Sequence, residues 1–313
     1  MAPFASTKRL QQISPHPKEI HSDKDHFEGL PRIKQVAESS TGLRVKDQVV
    51  VITGANSTLG IGRASAHQFA QNGAQALFLC DINDSFLDLH AQEIKALYPN
   101  IGVFTYKMDA ADENAIKNVV GNALEKYGRL DIMFANAGTG GTPRSFGEIE
   151  KDEFMRTMNT NALSVFLATK HAAEAMLVTS ASKPNPSGSI IATSSVAGLR
   201  TNAGPADYSA SKAAVISLMQ SAAFQLPHPQ IRCNAICPAM VATEMSDAFL
   251  GEGGRLTGIT QAIEKLTPMR RIAVADEVAR VALFLGSGEA SHVNGQAWSV
   301  CGGYTAGHPF TPT

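Results

Sequence analysis

Residues 48–62 read Gln-Val-Val-Val-Ile-Thr-Gly-Ala-Asn-Ser-Thr-Leu-Gly-Ile-Gly, and this stretch decides the fold. Its first six residues are mostly apolar and β-branched, which is typical of a strand buried on both faces of a parallel sheet. A turn with Gly54, Gly60 and Gly62 follows, and the next residues have a helical pattern. Glycines between a strand and a helix let backbone amides at the helix N-terminus approach a pyrophosphate. The stretch therefore predicts a dinucleotide site at the start of an α/β fold.

The alternation of strands and helices continues along the chain. Apolar, strand-like runs lie at 48–53, 76–80, 103–107, 130–135, 189–193, 231–236 and 297–300. Helix-like stretches lie between them at 62–72, 84–97, 113–127, 152–177 and 208–226. Because right-handed crossovers place helices on both faces of such a sheet, this alternation predicts a doubly wound parallel sheet of the Rossmann type. We expect one such domain over residues 47–313.

Residues 1–46 differ from the rest because they have several prolines and no sustained periodicity. They predict an extension that is partly disordered or draped over the body. His16, His21 and His26 recur every five residues, a spacing that suits neither one face of a helix nor one face of a strand. A solvated tail is therefore favoured over a metal site, and no metal is expected.

The composition favours a soluble protein with a sizeable core. The 313 residues have a net charge of -1, with 44% hydrophobic and 18% charged residues. This balance gives no electrostatic reason to expect nucleic acid or an anionic membrane as partner. No apolar run approaches the length of a membrane span, and the first residues lack the apolar core of a secretory signal. The four cysteines are interpreted as small buried hydrophobes in a reducing compartment, so we expect a cytoplasmic protein.

Asp81 strengthens the prediction of a dinucleotide site. It ends the second predicted strand, 19 residues after Gly62. A carboxylate at that place accepts hydrogen bonds from a ribose 2′-hydroxyl and repels a 2′-phosphate, which favours NAD over NADP. Alternatively, Asp81 caps a helix or a turn.

A second cluster of residues has the composition of an acid/base site. Tyr208 and Lys212 are four residues apart at the start of an apolar helix, so they share one helical face. A free tyrosine has a pKa of about 10, and a nearby ammonium group lowers it. Ser195 follows a predicted strand, where a hydroxyl can contact a substrate oxygen in the crevice of such folds. The alternative for the serine is a turn hydroxyl that binds the backbone.

Taken together, these motifs resemble those of the short-chain dehydrogenase/reductase family, and the resemblance runs from about residue 46 to residue 305. The motifs occur in that family's order: the glycine turn, Asn136-Ala137-Gly138, Asn161, Ser195, Tyr208 with Lys212, and Pro238 with Thr243. The resemblance implies four catalytic residues: Asn161, Ser195, Tyr208 and Lys212. In these roles Tyr208 exchanges the proton, Lys212 holds the nicotinamide ribose and lowers the Tyr208 pKa, and Ser195 orients the substrate oxygen. Asn161 supports a proton relay toward Lys212.

The family likeness and the motifs also predict the cofactor contacts. The predicted cofactor-binding residues are Gly54, Ser57, Thr58, Gly60, Ile61, Gly62, Asp81, Asp109, Ala110, Asn136, Ala137, Gly138, Tyr208, Lys212, Val241 and Thr243. The chain departs from the family in its glycine turn, which has five residues between Gly54 and Gly60 where three are usual. Ser57 or Thr58 would then either fill the space of a 2′-phosphate or bind one, which keeps NADP open beside NAD.

We therefore expect an oxidoreductase that moves a hydride between a nicotinamide cofactor and a carbonyl or secondary alcohol. Apolar side chains on a glycine-rich segment at 244–267 favour a hydrophobic, cyclic small molecule as substrate. The alternatives are an NADPH-dependent ketone reductase of biosynthesis, a non-redox isomerase or dehydratase, and a nucleotide-sensing protein on the same fold. The resemblance also implies a homo-oligomer, either a dimer or a tetramer.

Overall fold

The structure is a computed structural model that describes residue 29 and residues 43–200, 203–226, 230–246 and 265–307. The strands of the described residues are Val49–Thr53 (β1), Ala76–Asp81 (β2), Gly102–Lys107 (β3), Ile132–Ala135 (β4), Gly188–Thr193 (β5), Ile231–Pro238 (β6), Val241–Ala242 (β7), Ala273–Val274 (β8) and Ala297–Val300 (β9). The helices are Ile61–Gln71 (α1), Leu87–Leu97 (α2), Glu113–Tyr127 (α3), Lys151–Met158 (α4), Ser164–Met176 (α5), Val196–Leu199 (α6), Ala206–Gln225 (α7) and Ala275–Gly286 (α8).

Seven of these strands form one parallel sheet in the order β3-β2-β1-β4-β5-β6-β9. The order reverses between β1 and β4, and in open α/β sheets such a reversal opens a crevice at the carboxyl ends of the strands. β7 and β8 pair separately as a short ribbon. The predicted doubly wound parallel sheet is therefore confirmed.

The apolar core forms two layers, one on each face of the sheet, and β1 is buried between them. All five of its residues are buried, so no polar position interrupts the run. Val50 and Ile52 pack in the same apolar cluster as Phe69 of α1. Val49 and Val51 face the opposite cluster, which includes residues of α3, α5 and α7. The alternation of side chains along a strand thus places helices on both faces of the sheet.

The bounds of α3 follow from local chemistry. The side chain of Asp112 accepts a hydrogen bond from the amide of Asn114 at 2.8 Å, which caps the N-terminus of the helix. Gly128 ends the helix in a left-handed conformation, with φ of 66°. The predicted helix at 113–127 therefore coincides with the observed one.

The predicted helix at 152–177 is wrong as a single element. α4 ends at Met158, Asn159–Leu163 forms a π-helical turn, and α5 begins at Ser164. A π turn holds an extra residue inside an otherwise α-helical run, and the apolar pattern of the sequence continues across it.

The described residues directly before β1 pack against the body of the fold. Val45 is fully buried, and its amide donates a hydrogen bond to the carbonyl of Asn72 at 3.1 Å. His16, His21 and His26 lie outside the described residues. Among the described residues, no three His, Cys, Asp or Glu side chains are grouped so as to hold a metal ion. None of the helices in this part of the chain combines the length and apolarity that crossing a membrane requires.

Candidate active site

The carboxyl end of β5 and the first turn of α7 bring three of the predicted catalytic side chains together. Ser195 follows β5 and begins α6, where its Oγ accepts a hydrogen bond from the amide of Ala197 at 3.1 Å. The Ser195 hydroxyl donates to the carbonyl of Pro238 at 3.4 Å and lies close enough to the Tyr208 phenol to influence its pKa. The Nζ of Lys212 lies 5.6 Å from the centroid of the Tyr208 ring. These three groups therefore form one cluster at the edge of the sheet where ligands bind in such folds.

Burial controls the charges in this cluster. Lys212 is 4% exposed, and its Nζ donates to the carbonyl of Thr193 at 2.8 Å. Burial lowers the pKa of Lys212 to about 8, so its amine is mostly charged at neutral pH. Burial raises the pKa of Tyr208, and the nearby Ser195 hydroxyl acts in the opposite direction. The expectation that Lys212 lowers the Tyr208 pKa stays a prediction, and burial is the largest influence on the phenol in this structure.

Asn161 joins this cluster through the π turn. Its side chain is fully buried, with Oδ1 accepting from the amide of Thr139 at 2.7 Å and Nδ2 donating to the Ser211 hydroxyl at 2.9 Å. A Cβ on Gly138 would lie 3.1 Å from Asn161 Oδ1 and 3.3 Å from Lys212 Nζ. Asn161 and Lys212 therefore approach each other across Gly138, which leaves no room for a side chain there. π turns often occur at functional sites, and this one directs the Asn161 amide toward the cluster.

The glycine turn after β1 has the compactness that a bound pyrophosphate requires. A Cβ on Gly62 would lie 2.2 Å from the Gly54 carbonyl oxygen, and a Cβ on Gly60 would lie 2.8 Å from the Ser57 Cβ. Gly60 precedes α1, whose N-terminus has no side-chain cap, so the first amides of the helix are left for an anion. The Ser57 hydroxyl is buried without a hydrogen-bond partner in the described part of the chain. These features fit a dinucleotide cofactor.

Asn136 links the glycine turn to the catalytic strands. Its Nδ2 donates to the carbonyls of Thr53 at 3.2 Å and Gly54 at 3.0 Å. Its Oδ1 accepts from the Thr193 hydroxyl at 2.9 Å, at the end of β5. The Ala137 amide also donates to the Thr53 hydroxyl at 3.0 Å. The segment Asn136-Ala137-Gly138 thus joins the ends of β1, β4 and β5 beneath the predicted cofactor.

The position of Asp81 fits both interpretations made from the sequence, a ribose contact and a backbone cap. Its Oδ2 accepts from the amide of Asn56 in the glycine turn at 3.0 Å, and its Oδ1 accepts from the Asn83 amide at 3.1 Å. It therefore caps two backbone segments and also lies beside the glycine turn. Asp109 follows β3 and accepts from the Ala111 amide at 2.8 Å, so it is exposed and caps its own turn.

The other predicted cofactor contacts come shortly after the ends of β3 and β6. Ala110 comes directly after Asp109, at the same sheet edge as the end of β2. Val241 belongs to β7, and the amide of Thr243 donates to the Ser246 hydroxyl at 3.0 Å. Most of the predicted apolar segment at 244–267 lies outside the described residues.

Comparison with known proteins shows the family. Residues 54–305 match the family described as Enoyl-(Acyl carrier protein) reductase. Short-chain dehydrogenase reductase 3a of Arabidopsis thaliana is 32% identical over 276 residues, which cover 86% of this chain and all of that protein. This chain belongs to the short-chain dehydrogenase/reductase family. Members of this oxidoreductase family use nicotinamide cofactors.

Two further relatives extend the comparison. The mitochondrial borneol dehydrogenase of Lavandula x intermedia is 34% identical over 264 residues, covering 83% of this chain and 91% of that protein. The crystal structure of levodione reductase is similar to this fold with a TM-score of 0.77 and 30% identity, over 85% of this chain and 100% of that one.

Several residues that hold the glycine turn of this short-chain dehydrogenase/reductase were not predicted from its sequence. His90 of α2 is fully buried, and its Nε2 donates to the Asn56 carbonyl at 2.8 Å. Arg63 of α1 donates to the Thr58 carbonyl at 2.6 Å and to both oxygens of Glu93. Burial alone would raise the pKa of Glu93, but hydrogen bonds and charges from His67 and Arg63 lower it to about 2. Two helices thus hold two carbonyls of the enlarged turn.

A contact across the crevice was not predicted either. The Oε1 of Glu244 accepts from the amide of Thr58 at 3.0 Å and from its hydroxyl at 2.5 Å. The bond joins the glycine turn to the residues that follow β7. The two residues are 186 positions apart, and neither belongs to a periodic pattern, so the sequence contains no signal that pairs them.

The buried His90 leads to a prediction about stability. Burial lowers its pKa from 6.5 to about 4, so the unfolded chain takes up the proton first as the pH falls. The stabilisation by neutral His90 is therefore complete above pH 6.5 and is lost as the pH falls toward 4. This loss amounts to about 3 kcal/mol of unfolding free energy. Urea unfolding at pH 7, 5.5 and 4 measures it.

His90→Gln is the matched variant because the glutamine amide still donates to Asn56 but does not titrate. We expect the variant to lose about 3 kcal/mol less stability than the wild type between pH 7 and pH 4. Equal losses in the two proteins would show that His90 is not held in its neutral form.

Proposed function

We propose that this chain is an NAD-dependent dehydrogenase/reductase that interconverts a ketone and a secondary alcohol of a hydrophobic, cyclic small molecule. The observation that supports this most directly is the grouping of the Ser195 hydroxyl and the Lys212 amine around the Tyr208 phenol. The nicotinamide, when bound, supplies or accepts the hydride. The chain has to hold the substrate oxygen and exchange one proton with it.

We assign the role of proton donor to Tyr208. In the reducing direction, the phenol donates its proton to the carbonyl oxygen while the Ser195 hydroxyl holds that oxygen by a hydrogen bond. A tyrosine phenol has an ordinary pKa of about 10, so at neutral pH it carries a proton to donate. The Lys212 ammonium then stabilises the phenolate that remains, since opposite charges at this distance attract in a buried site. The same groups serve the reverse direction, in which the phenolate accepts the proton of the alcohol.

Carboxylates at the glycine turn support NAD as the cofactor. Asp81 binds the Asn56 amide, and Glu244 binds the Thr58 amide and hydroxyl. Two negative charges beside this turn disfavour a 2′-phosphate. The unpartnered Ser57 hydroxyl favours the second candidate, an NADPH-dependent ketone reductase, because it is a donor that a phosphate could use.

Titration of the purified protein with NADH and with NADPH, followed by nicotinamide fluorescence, tests the cofactor preference. We expect NADH to bind more tightly. Asp81→Ala should weaken NADH binding about tenfold, since a hydrogen bond to a charged group contributes about 1.5–3 kcal/mol. Asp84→Ala is the matched control, because Asp84 is exposed and pairs with Lys107 outside the turn. Tighter binding of NADPH to the wild type would contradict the preference, and binding of neither cofactor would contradict the redox function.

The substrate class is supported by the surroundings of the crevice and by the relatives. Met245 is half-exposed, and its Cγ lies 3.9 Å from where a Cβ on Gly140 would be, so an apolar side chain overhangs the loop after β4. Borneol and levodione, which appear in the names of the relatives, are a cyclic alcohol and a cyclic ketone. Rates with levodione and NADH, with borneol and NAD, and with 2-propanol and NAD test the proposal. Activity with 2-propanol alone would contradict it.

The exposed apolar side chains support a homo-oligomer. Phe154 of α4, Phe166 of α5 and Phe224 of α7 are exposed, Phe224 to 92%. Burying such side chains against a second copy would stabilise a dimer or a tetramer. Light scattering after size exclusion measures the mass directly, and a monomer at micromolar concentration would contradict the proposal. All four cysteines are free thiols, which supports the cytoplasm as the compartment.

A further inference from the structure

A buried carboxylate lies next to Tyr208, and the proton transfer does not use it. Asp207 is fully buried in the first turn of α7. Its Oδ1 accepts from the Tyr208 amide at 2.8 Å, and its Oδ2 accepts from the Thr157 hydroxyl at 2.7 Å. The Thr142 amide donates to both oxygens, at 3.2 and 3.0 Å. One side chain thus connects α7, the last turn of α4 and the loop after β4.

The loop at 138–142 is held at both of its ends by residues of the site. At its start, the amide and the carbonyl of Thr139 both bond to the Asn161 side chain, at 2.7 and 3.0 Å. At its end, the Thr142 amide bonds to Asp207. The loop therefore runs from the Asn161 side of the crevice to the Tyr208 side, and Asp207 fixes its second end.

Two glycines leave Tyr208 no room to move sideways. Gly141 has a φ of +78°, and a Cβ there would lie 2.7 Å from the Tyr208 Cβ and 2.8 Å from the Asp207 Oδ1. A Cβ on Gly204 would lie 2.8 Å from the Tyr208 Cδ1. The backbone thus touches the tyrosine on two sides. The position of the ring depends on the loop at 138–142, and the position of that loop depends on Asp207.

We propose that Asp207 is a positioning residue for the proton transfer, which sets the Tyr208 phenol and the loop at 138–142 in one fixed geometry. This inference rests on the proposed function. A residue that only capped α7 could be a serine, a threonine or an asparagine. Only a carboxylate accepts from all three donors, because an amide offers one acceptor oxygen and a hydroxyl is too short to reach α4 and the loop together.

The effect of losing Asp207 should fall on turnover more than on cofactor binding. Asp207→Asn keeps the shape but presents an amide N–H to one of the three donors. Since a displacement of about 1 Å at a reacting group costs on the order of a hundredfold in rate, we expect kcat to fall about tenfold to a hundredfold. The Kd for NADH should rise by a smaller factor than kcat falls, because the glycine turn is unchanged and Gly138 is the one predicted cofactor contact in the loop at 138–142.

Thr157→Val separates positioning from folding, because it removes one of the bonds to Asp207 with little change in volume. We expect it to lower kcat in the same direction and by less. The double variant should lose less than the product of the two single effects, since both act through the same carboxylate. Asp112→Asn is the matched control, because Asp112 caps α3 away from the crevice. It keeps the cap, so it should leave kcat and the exchange of the loop unchanged.

The experiment measures kcat with levodione and NADH, the Kd for NADH, and hydrogen exchange of the loop at 138–142 by mass spectrometry. Faster exchange in Asp207→Asn, together with the fall in kcat, is the expected result. A wild-type kcat in folded Asp207→Asn would overturn the positioning role, and unchanged exchange would overturn the anchoring of the loop. A wild type that binds neither NADH nor NADPH would instead contradict the proposed function, and the exchange measurement would still decide whether Asp207 holds the loop.

Discussion

Tyr208→Phe is expected to lower kcat about a thousandfold while NADH continues to bind. The substitution removes only the hydroxyl, which lies beside Ser195 and is the group proposed to exchange the proton. General acid/base catalysis contributes about 10²–10⁴-fold to rates, and this site has a single phenol for the task. The glycine turn and Asp81 are unchanged, so the Kd for NADH should stay within about twofold. Stopped-flow oxidation of NADH and a fluorescence titration measure the two quantities.

Tyr106→Phe is the control, because it removes the same hydroxyl from β3, where the ring stacks against Phe78. Its kcat should equal that of the wild type. A Tyr208→Phe protein that kept more than a tenth of wild-type kcat would rule out the phenol as the acid. The assay also separates the other classes: a nucleotide-sensing protein would show no turnover in either form. An isomerase or dehydratase would lose product formation without any change at the absorbance of reduced nicotinamide.

Gly62→Ala should abolish cofactor binding at ordinary concentrations. The added Cβ would lie 2.2 Å from the Gly54 carbonyl oxygen and 2.9 Å from its carbon. Both atoms belong to the backbone of the turn, so no side chain can move aside, and the start of α1 must shift away from the turn. We expect the Kd for NADH to rise about a hundredfold, which corresponds to about 3 kcal/mol and to the upper part of the cost of overpacking.

Gly121→Ala provides the comparison, because nothing lies within 4 Å of a Cβ built at Gly121 in α3. It should leave the Kd for NADH unchanged and stabilise the protein by about 0.5–1 kcal/mol, as alanine does in a helix interior. Circular dichroism shows whether Gly62→Ala still folds. Should folded Gly62→Ala bind NADH as tightly as the wild type, the glycine turn would not be where the pyrophosphate lies.

The fold could be predicted because its strands are short, apolar and regularly separated by helices. β1 and β9 match their predicted positions to within one residue, as does α3, whose ends are marked by Asp112 and Gly128. The helix at 152–177 was predicted as one element because hydrophobic periodicity records which residues are apolar. It does not record whether the hydrogen bonds between them close α or π turns. No bounds were predicted for α8 or for the β7–β8 ribbon, because the segment at 244–267, which separates β7 from β8, has no regular pattern.

The parts of the candidate site that follow from the order of strands and helices could be predicted from the sequence. The parts that depend on contacts between distant side chains could not. Ser195, Tyr208 and Lys212 meet because the carboxyl ends of parallel strands lie at one edge of the sheet. The contacts of Asp207 with Thr142 and Thr157 span 65 and 50 residues, and no periodic pattern pairs them. The rise in the Tyr208 pKa on burial was not predicted, because a sequence shows the neighbouring charge of Lys212 but not the depth at which the phenol is buried.

The π turn at Asn159–Leu163 has a consequence for changes in chain length. Each residue of an α-helix turns the chain by about 100°. A deletion of one residue within α4 or α5 would therefore rotate the rest of the helix by that angle and expose the apolar side of α5. A π turn contains one residue more than an α turn, so a deletion there would leave both helices facing as they do now. The same deletion would turn Asn161 away from Thr139 and Ser211. The extra residue of this turn is therefore needed for the position of Asn161 and not for the packing of the two helices.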